Sequence, residues 1–94
     1  YDLYARYRDT DGRWAAEMRL TTDAGHDLNP VAATDLRGRV WVAWQGYRNG
    51  SLDVLAMALD GDKFTREQRV SPSAFSDWDP VIAASPKGEV AVVW

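Results

Sequence analysis

Ninety-four residues, 46% hydrophobic and 27% charged, have the length and balance of one small folded domain rather than of a disordered segment. The absence of cysteine excludes disulfides, thiolate metal sites and a cysteine nucleophile. No apolar run approaches the roughly 20 residues of a membrane-spanning helix, and the scattered 11 Lys and Arg, at net charge −3, lack the concentrated basic face that nucleic acid requires.

The first residues, Tyr1-Asp2-Leu3-Tyr4, show no basic or apolar leader pattern, so no signal peptide is expected. From Asp2 to Arg8 the chain alternates. Leu3, Ala5 and Tyr7 face one way, and Asp2, Tyr4, Arg6 and Arg8 the other, which predicts a strand. Asp9-Thr10-Asp11-Gly12 reads as a turn. Trp14 to Leu20 holds good helix formers, yet Trp14, Ala16, Met18 and Leu20 alternate with Ala15, Glu17 and Arg19, and a strand is predicted. Pro30 to Thr34 is a short apolar strand, and Asp35-Leu36-Arg37-Gly38 is a turn. Val40 to Gln45 is β-branched and aromatic without polar alternation, the pattern of a strand buried on both faces. Gln45 to Ser51 is predicted as a loop, Leu52 to Leu59 as the next strand, and Lys63 to Val70 as a polar outer strand. The last two strands are the apolar stretch from Val81 and the stretch from Val90 to Trp94, joined by the turn Ser85-Pro86-Lys87-Gly88.

The chain also matches itself. At a shift of 50, Glu17, Arg19, Ala24, Asp27, Pro30, Val31, Ala33, Gly38, Val40, Val42 and Trp44 fall on identical residues. At a shift of 51, Asp2-Leu3-Tyr4-Ala5 falls on Asp53-Val54-Leu55-Ala56. The one-residue difference lies in a turn, where insertions are tolerated. Labelling the four strands of one repeat A to D, the chain reads C-D, A-B-C-D, A-B. Residues 1–20 form half a unit, 21–70 a whole unit and 71–94 half a unit. Four-stranded units of about 50 residues stack radially as propeller blades. The expected fold is an all-β propeller fragment.

The repeat resembles the TolB-type, WD40-like β-propeller repeat. The resemblance rests on Asp27-Leu28-Asn29-Pro30, Arg37-Gly38, Val40 to Trp44, Arg48-Asn49-Gly50, Asp53-Val54-Leu55-Ala56-Met57, Asp60-Gly61 and Arg69-Val70-Ser71, with Arg19-Leu20-Thr21 as the earlier copy of the end. It covers essentially the whole chain. The A–B turn departs from it, with Ala33-Thr34-Asp35 and Ala83-Ala84-Ser85 in place of Trp-Ser-Pro. The Trp-rich B strands are also similar to those of sialidase-like propellers, but Asp9-Thr10-Asp11-Gly12-Arg13-Trp14 does not complete an Asp-box. Fold resemblance carries no function by itself.

Two blades cannot close a ring, and open stack faces and strand edges are aggregation hazards. Trp94 matches Trp44 and Tyr1 matches Leu52, so an A-B end can pair with the C-D start of another copy. The expectation is a non-enzymatic, self-assembling fragment, engineered or excised from a larger propeller, that closes in trans. Three copies make six blades, the preferred form, and four make eight. The expected assembly interface is Asp2, Leu3, Tyr4, Ala5 and Tyr7 against Val90, Val92, Val93 and Trp94. No cofactor and no metal are expected, and the partner is the chain itself.

The alternative is a glycan- or peptide-binding module using the loops 21–29, 45–51 and 71–79, and the third reading is a fragment of a sialidase-like glycosidase. The ligand candidates are Asp27, Asn29, Tyr47, Asp77, Trp78 and Asp79. Asp27 and Asp77 could ring a channel mouth, but loop capping by an Asx-type turn is favoured. His26 lacks a paired nucleophile and reads as a loop residue. The Asp9–Gly12 and Asp60–Asp62 stretches supply too few oxygens for calcium and read as hairpin turns. Trp44 and Trp94 read as packing residues. Arg19, Arg69, Glu17 and Glu67 read as surface ladder pairs.

Overall fold

The computed structural model describes residues 1–72 and 74–94, and these contain strands and no helix. The chain makes β1 (Tyr4–Ala5), β2 (Met18–Arg19), β3 (Asp27–Thr34), β4 (Val40–Arg48), β5 (Ser51–Asp60), β6 (Lys63–Phe64), β7 (Gln68–Arg69), β8 (Val81–Ala84) and β9 (Val90–Val93). All pairing is antiparallel. β1 pairs β2 and β8 pairs β9, while β3, β4 and β5 form a meander whose outer edge is covered by β6 and β7. The all-β character agrees with the expectation from the sequence.

The registers coincide at the two repeat shifts. Tyr4 opposes Arg19 and Ala5 opposes Met18, as Leu55 opposes Arg69 and Ala56 opposes Gln68. Val31 opposes Ala43 and Thr34 opposes Val40, as Val81 opposes Val93 and Ala84 opposes Val90. The hydrogen bonds at the strand ends coincide too. Leu3 N donates to Thr21 Oγ1 and Val54 N donates to Ser71 Oγ, each at 2.9 Å. Asp27 N donates to Tyr1 O at 2.9 Å, and Asp77 N to Leu52 O at 2.8 Å.

Side-chain alternation divides the central sheet into two faces. Val42 and Trp44 of β4 with Leu55, Met57 and Leu59 of β5 form the core together with Leu3 and Leu20, which flank the first hairpin. The opposite face carries small buried residues, Ala43, Val54, Ala56 and Ala58. Val90 and Val92 of β9 share a cleft on that side with Trp41, Ala56 and Val70. The central sheet thus lies between the two hairpins.

Several predicted boundaries are corrected. The segment predicted as a loop from Gln45 to Ser51 is strand on both sides of a two-residue Asn49-Gly50 turn, with Tyr47 opposite Leu52 and Arg48 opposite Ser51. Asn49 at φ 51° and Gly50 at φ 88° give the type I′ conformation whose twist matches a hairpin. β3 starts at Asp27 rather than Pro30, with a register shift between Leu28 and Val31. Asn29 lies there at φ 54°, and Asp79, its match fifty positions on, at φ 55°. Asn and Asp are the non-glycine residues that tolerate this region best, and Pro30 sits at the shift, where its missing N–H is tolerated.

The outer strands are shorter than predicted. Between Asp2 and Arg8 only Tyr4–Ala5 is strand, and of Trp14–Leu20 only Met18–Arg19, with a single bridge from Arg8 to Trp14. The predicted strand Lys63–Val70 is broken between Phe64 and Gln68. There Thr65 accepts the Ala58 N–H on its side-chain oxygen at 3.0 Å, while its own N–H donates to Ala58 O at 2.9 Å. Hydroxyl groups thus replace ladder carbonyls at Thr21, Thr65 and Ser71, which ends regular pairing on the exposed edge.

The two inner hairpins turn in the same way. Asp35 Oδ1 accepts the N–H groups of Arg37 and Arg39 at 2.9 and 3.0 Å. Ser85 Oγ accepts those of Lys87 and Glu89 at 3.1 and 3.3 Å. The Asp9 turn repeats the pattern, with Oδ1 accepting from Asp11 and Arg13 at 2.9 Å each. The hairpin turn predicted at Asp9–Gly12 is thus closed by Asx-type hydrogen bonds.

Candidate functional site

Hydrogen bonds join the segments read from the sequence as ligand loops. Tyr47 N donates to His26 O at 2.8 Å, Asp77 N to Leu52 O at 2.8 Å, and Asp79 N to Gln45 Oε1 at 3.1 Å. The β4–β5 turn and the segments leading to β3 and β8 therefore meet.

The chemistry of this end centres on Arg48, a residue the sequence reading noted only as part of a loop motif. Arg48 Nη2 donates to Asp27 Oδ1 at 2.7 Å, and Nε donates to Glu67 Oε2 at 3.0 Å. Asp23 Oδ2 lies 3.6 Å from Nε. Burial works against the Arg48 charge, but the hydrogen bonds and charges of Glu67 and Asp27 outweigh it and hold the guanidinium more firmly protonated than usual. Trp44, fully buried, donates its indole N–H to the same Asp27 oxygen at 2.8 Å.

Gly46 makes this convergence possible. A Cβ there would sit 2.7 Å from Leu55 Cδ1 and 2.8 Å from Asp27 Oδ1. The reading of Asp27 as a loop cap is therefore corrected. Asp27 is a β3 residue, 2% exposed, whose carboxylate ties the core tryptophan to a charged cluster. Its second oxygen, Oδ2, is buried without a hydrogen-bond partner among the described residues, and so is Oδ2 of Asp77.

Beside Arg48 opens a cleft of about 460 Å³ lined by Arg48, Asn49, Ser51, Asp53, Glu67 and Arg69, among others. Its charges neutralise one another within the chain. Arg69 Nε lies 3.2 Å from Asp53 Oδ2, as Arg48 lies against Glu67. At the matching place in the first hairpin Arg19 pairs with Asp2, and the Arg19 hydrogen bond holds the Asp2 carboxyl below its usual range. The predicted surface ladder pairs are thus arginine–aspartate bridges between neighbouring strands. Glu67 turns instead to Arg48.

The remaining candidates are spread around this end. Tyr47 and Trp78 are about half exposed. Asn29, at the β3 register shift, and Asp79, before β8, both have left-handed backbone conformations. His26 is exposed, with its Nδ1 2.8 Å from the Tyr1 backbone nitrogen. Of the predicted assembly residues, Tyr4, Val93 and Trp94 are exposed, while Leu3 is buried in the core. At the opposite end, burial opposes the charge of Asp35, but the Trp41 indole and the Arg39 and Arg37 donors dominate and lower its carboxyl to about 2. No group of three or more potential ligands for a metal ion occurs among the described residues.

No family model, no curated protein and no solved structure matches this chain.

Proposed function

We propose that the chain is a two-blade segment of a β-propeller with a structural, assembling role. The proposal includes no catalytic chemistry. Its central sheet is one blade, and its terminal hairpins are the two halves of other blades. The observation that carries this reading is the coincidence of registers. β1 and β2 pair as β5 and β7 do, and β8 and β9 pair as β3 and β4 do. The three sheets also face one another in succession, as stacked blades would. In the central sheet β4 pairs β5, whereas β1 pairs only β2 and β9 only β8 among the described residues. Each hairpin therefore offers the edge that the other lacks. Exposed edges of this kind are templates for a further strand.

In this reading, β9 of one copy joins β1 of the next. The contact is heterologous, and such contacts form a ring only where the rotation closes. Three copies give six blades, with a tetramer of eight blades as the alternative. Light scattering across a dilution series tests this. A single species of three or four copies is expected. A folded monomer at all concentrations would overturn assembly in trans.

A second reading is favoured by one observation, the half-exposed Trp78 and Tyr47 at the end that carries the polar cleft. Aromatic faces beside polar groups suit glycan or peptide ligands. Under that reading Trp78→Ala abolishes binding in a glycan screen and leaves the mass unchanged.

A further inference from the structure

We infer that β9 of one copy docks on the β1 edge of another in a single register, with Trp94 opposite Tyr4, and that docking seats the Trp94 indole on Asp77 as the Trp44 indole sits on Asp27. This rests on the assembly reading above and makes it specific to individual residue pairs.

The register follows from the central sheet. There Trp44 opposes Leu55, Ala43 opposes Ala56 and Val42 opposes Met57. Moving β4 forward by fifty positions and β5 back by fifty-one places Trp94 opposite Tyr4, Val93 opposite Ala5 and Val92 opposite Arg6. Both strands already hold their inner partners in the matching registers. A one-residue slip would turn every side chain to the wrong face, so a packed edge selects one alignment.

The edge for the incoming strand is open, since β9 pairs only β8 among the described residues, and the flanking clefts correspond. A cleft of about 390 Å³ lies between β9 and the central sheet, lined by Trp41, Ala56, Gln68, Val70, Val90 and Val92. Its counterpart beside the first hairpin, about 400 Å³, includes Ala5, Leu20, Val40 and Val42, the matches of four of those residues. That counterpart is also lined by Leu59 of β5. Among the described residues no strand takes beside β9 the place that β5 has beside β4, and Tyr4 of the docked β1 occupies the place of Leu55.

Two further observations meet at Trp94. Trp44 is fully buried and donates to Asp27, whereas Trp94, its match, is 48% exposed. Asp77, the match of Asp27, receives no hydrogen bond from the Trp94 indole, and its Oδ2, like that of Asp27, is buried without a partner among the described residues. β9 ends at Val93, one residue short of Trp94. Pairing with β1 extends the ladder over Trp94 and delivers the indole N–H to Asp77.

The sequence has no cysteine, which makes the register readable by cross-linking. Single variants Ala5→Cys and Val93→Cys are mixed at equal concentration and oxidised, with Tyr7→Cys and Val93→Cys as the pair slipped by two residues. The indole N–H exchange of Trp94 is followed by NMR in the unmodified assembly, with Trp44 as internal reference. The expected result is a cross-linked heterodimer for the Ala5 pair, at least about tenfold less for the slipped pair, and a Trp94 N–H protected like that of Trp44. In Asp77→Ala that protection is lost and Trp44 stays protected. An assembly that cross-links only in the slipped pair, or whose Trp94 N–H exchanges freely, overturns this inference and leaves assembly standing. A monomer by light scattering overturns both.

Discussion

The central sheet and the β8–β9 hairpin carry nearly the same strand sequences in different surroundings. In the central sheet Trp44 is fully buried, its indole held by Asp27 and its strand flanked by β3 and β5. In the hairpin Trp94 is half exposed, and no hydrogen bond joins its indole to Asp77 among the described residues. The strand-forming pattern is shared, so it does not account for the difference. What differs is the outer neighbour. β5 covers β4, and among the described residues nothing pairs with the outer edge of β9. A strand's fate in a stacked sheet is therefore set by what lies across its edge as much as by its own residues.

The largest expected effect separates the two tryptophans. Trp44→Ala should lower the unfolding free energy by about 3–5 kcal/mol through a core cavity. Trp94→Ala should change the unfolding of the individual chain by less than about 1 kcal/mol while weakening assembly. Denaturant titration of both variants at one low concentration checks this, and equal losses would erase the contrast.

The aspartates come next. Asp27→Ala frees a buried indole and strips Arg48 of its nearest acid, an expected loss of about 3 kcal/mol. Asp77→Ala, without those partners in the individual chain, should cost about 1 kcal/mol or less. At the strand ends, Thr21→Val and Ser71→Ala each remove the acceptor for one backbone N–H. Both should cost about 1 kcal/mol, and similar values for the two would match their identical placement.

The smallest contrast is in the turns. The Asp35 carboxyl is depressed to about 2. A depressed carboxyl stabilises the fold fully above its unfolded value, 3.8. That contribution is lost as pH falls from about 4 towards 2. Ser85 makes the same two turn hydrogen bonds with a hydroxyl that does not titrate. An acid titration followed by NMR should therefore move the amides of Arg37 and Arg39 in that window and leave Lys87 in place. Parallel movement in both turns would refute the assignment of the effect to Asp35.

Much of this organisation is legible in the sequence. Alternation and turn residues give the strand order, and the match between Asp27–Trp44 and Asp77–Trp94 pairs the two inner hairpins correctly. The β4–β5 hairpin is missed because Gln45 to Ser51 is polar and glycine-rich. The Asn49-Gly50 dipeptide, a strong hairpin signal, was the available clue. The outer strands are overextended because alternation does not reveal where a hydroxyl replaces a ladder carbonyl, as at Thr21 and Ser71. The Arg48 cluster is hidden for another reason. Arg48 and Glu67 are far in sequence from each other and from Asp23 and Asp27, and only folding brings them to one end. Asp27 reads as a cap because an aspartate three residues before a proline usually stays near the surface, whereas here Gly46 opens room for it beneath Trp44.

The central claim is that the β1 and β9 edges become interior strands, and amide hydrogen exchange tests it most directly. At concentrations where the chain associates, protection along β1 and β9 should approach that of β4 and β5, and it should fall on dilution while β4 and β5 stay protected. Rapid exchange along β1 and β9 at every concentration, with β4 and β5 protected throughout, would contradict it.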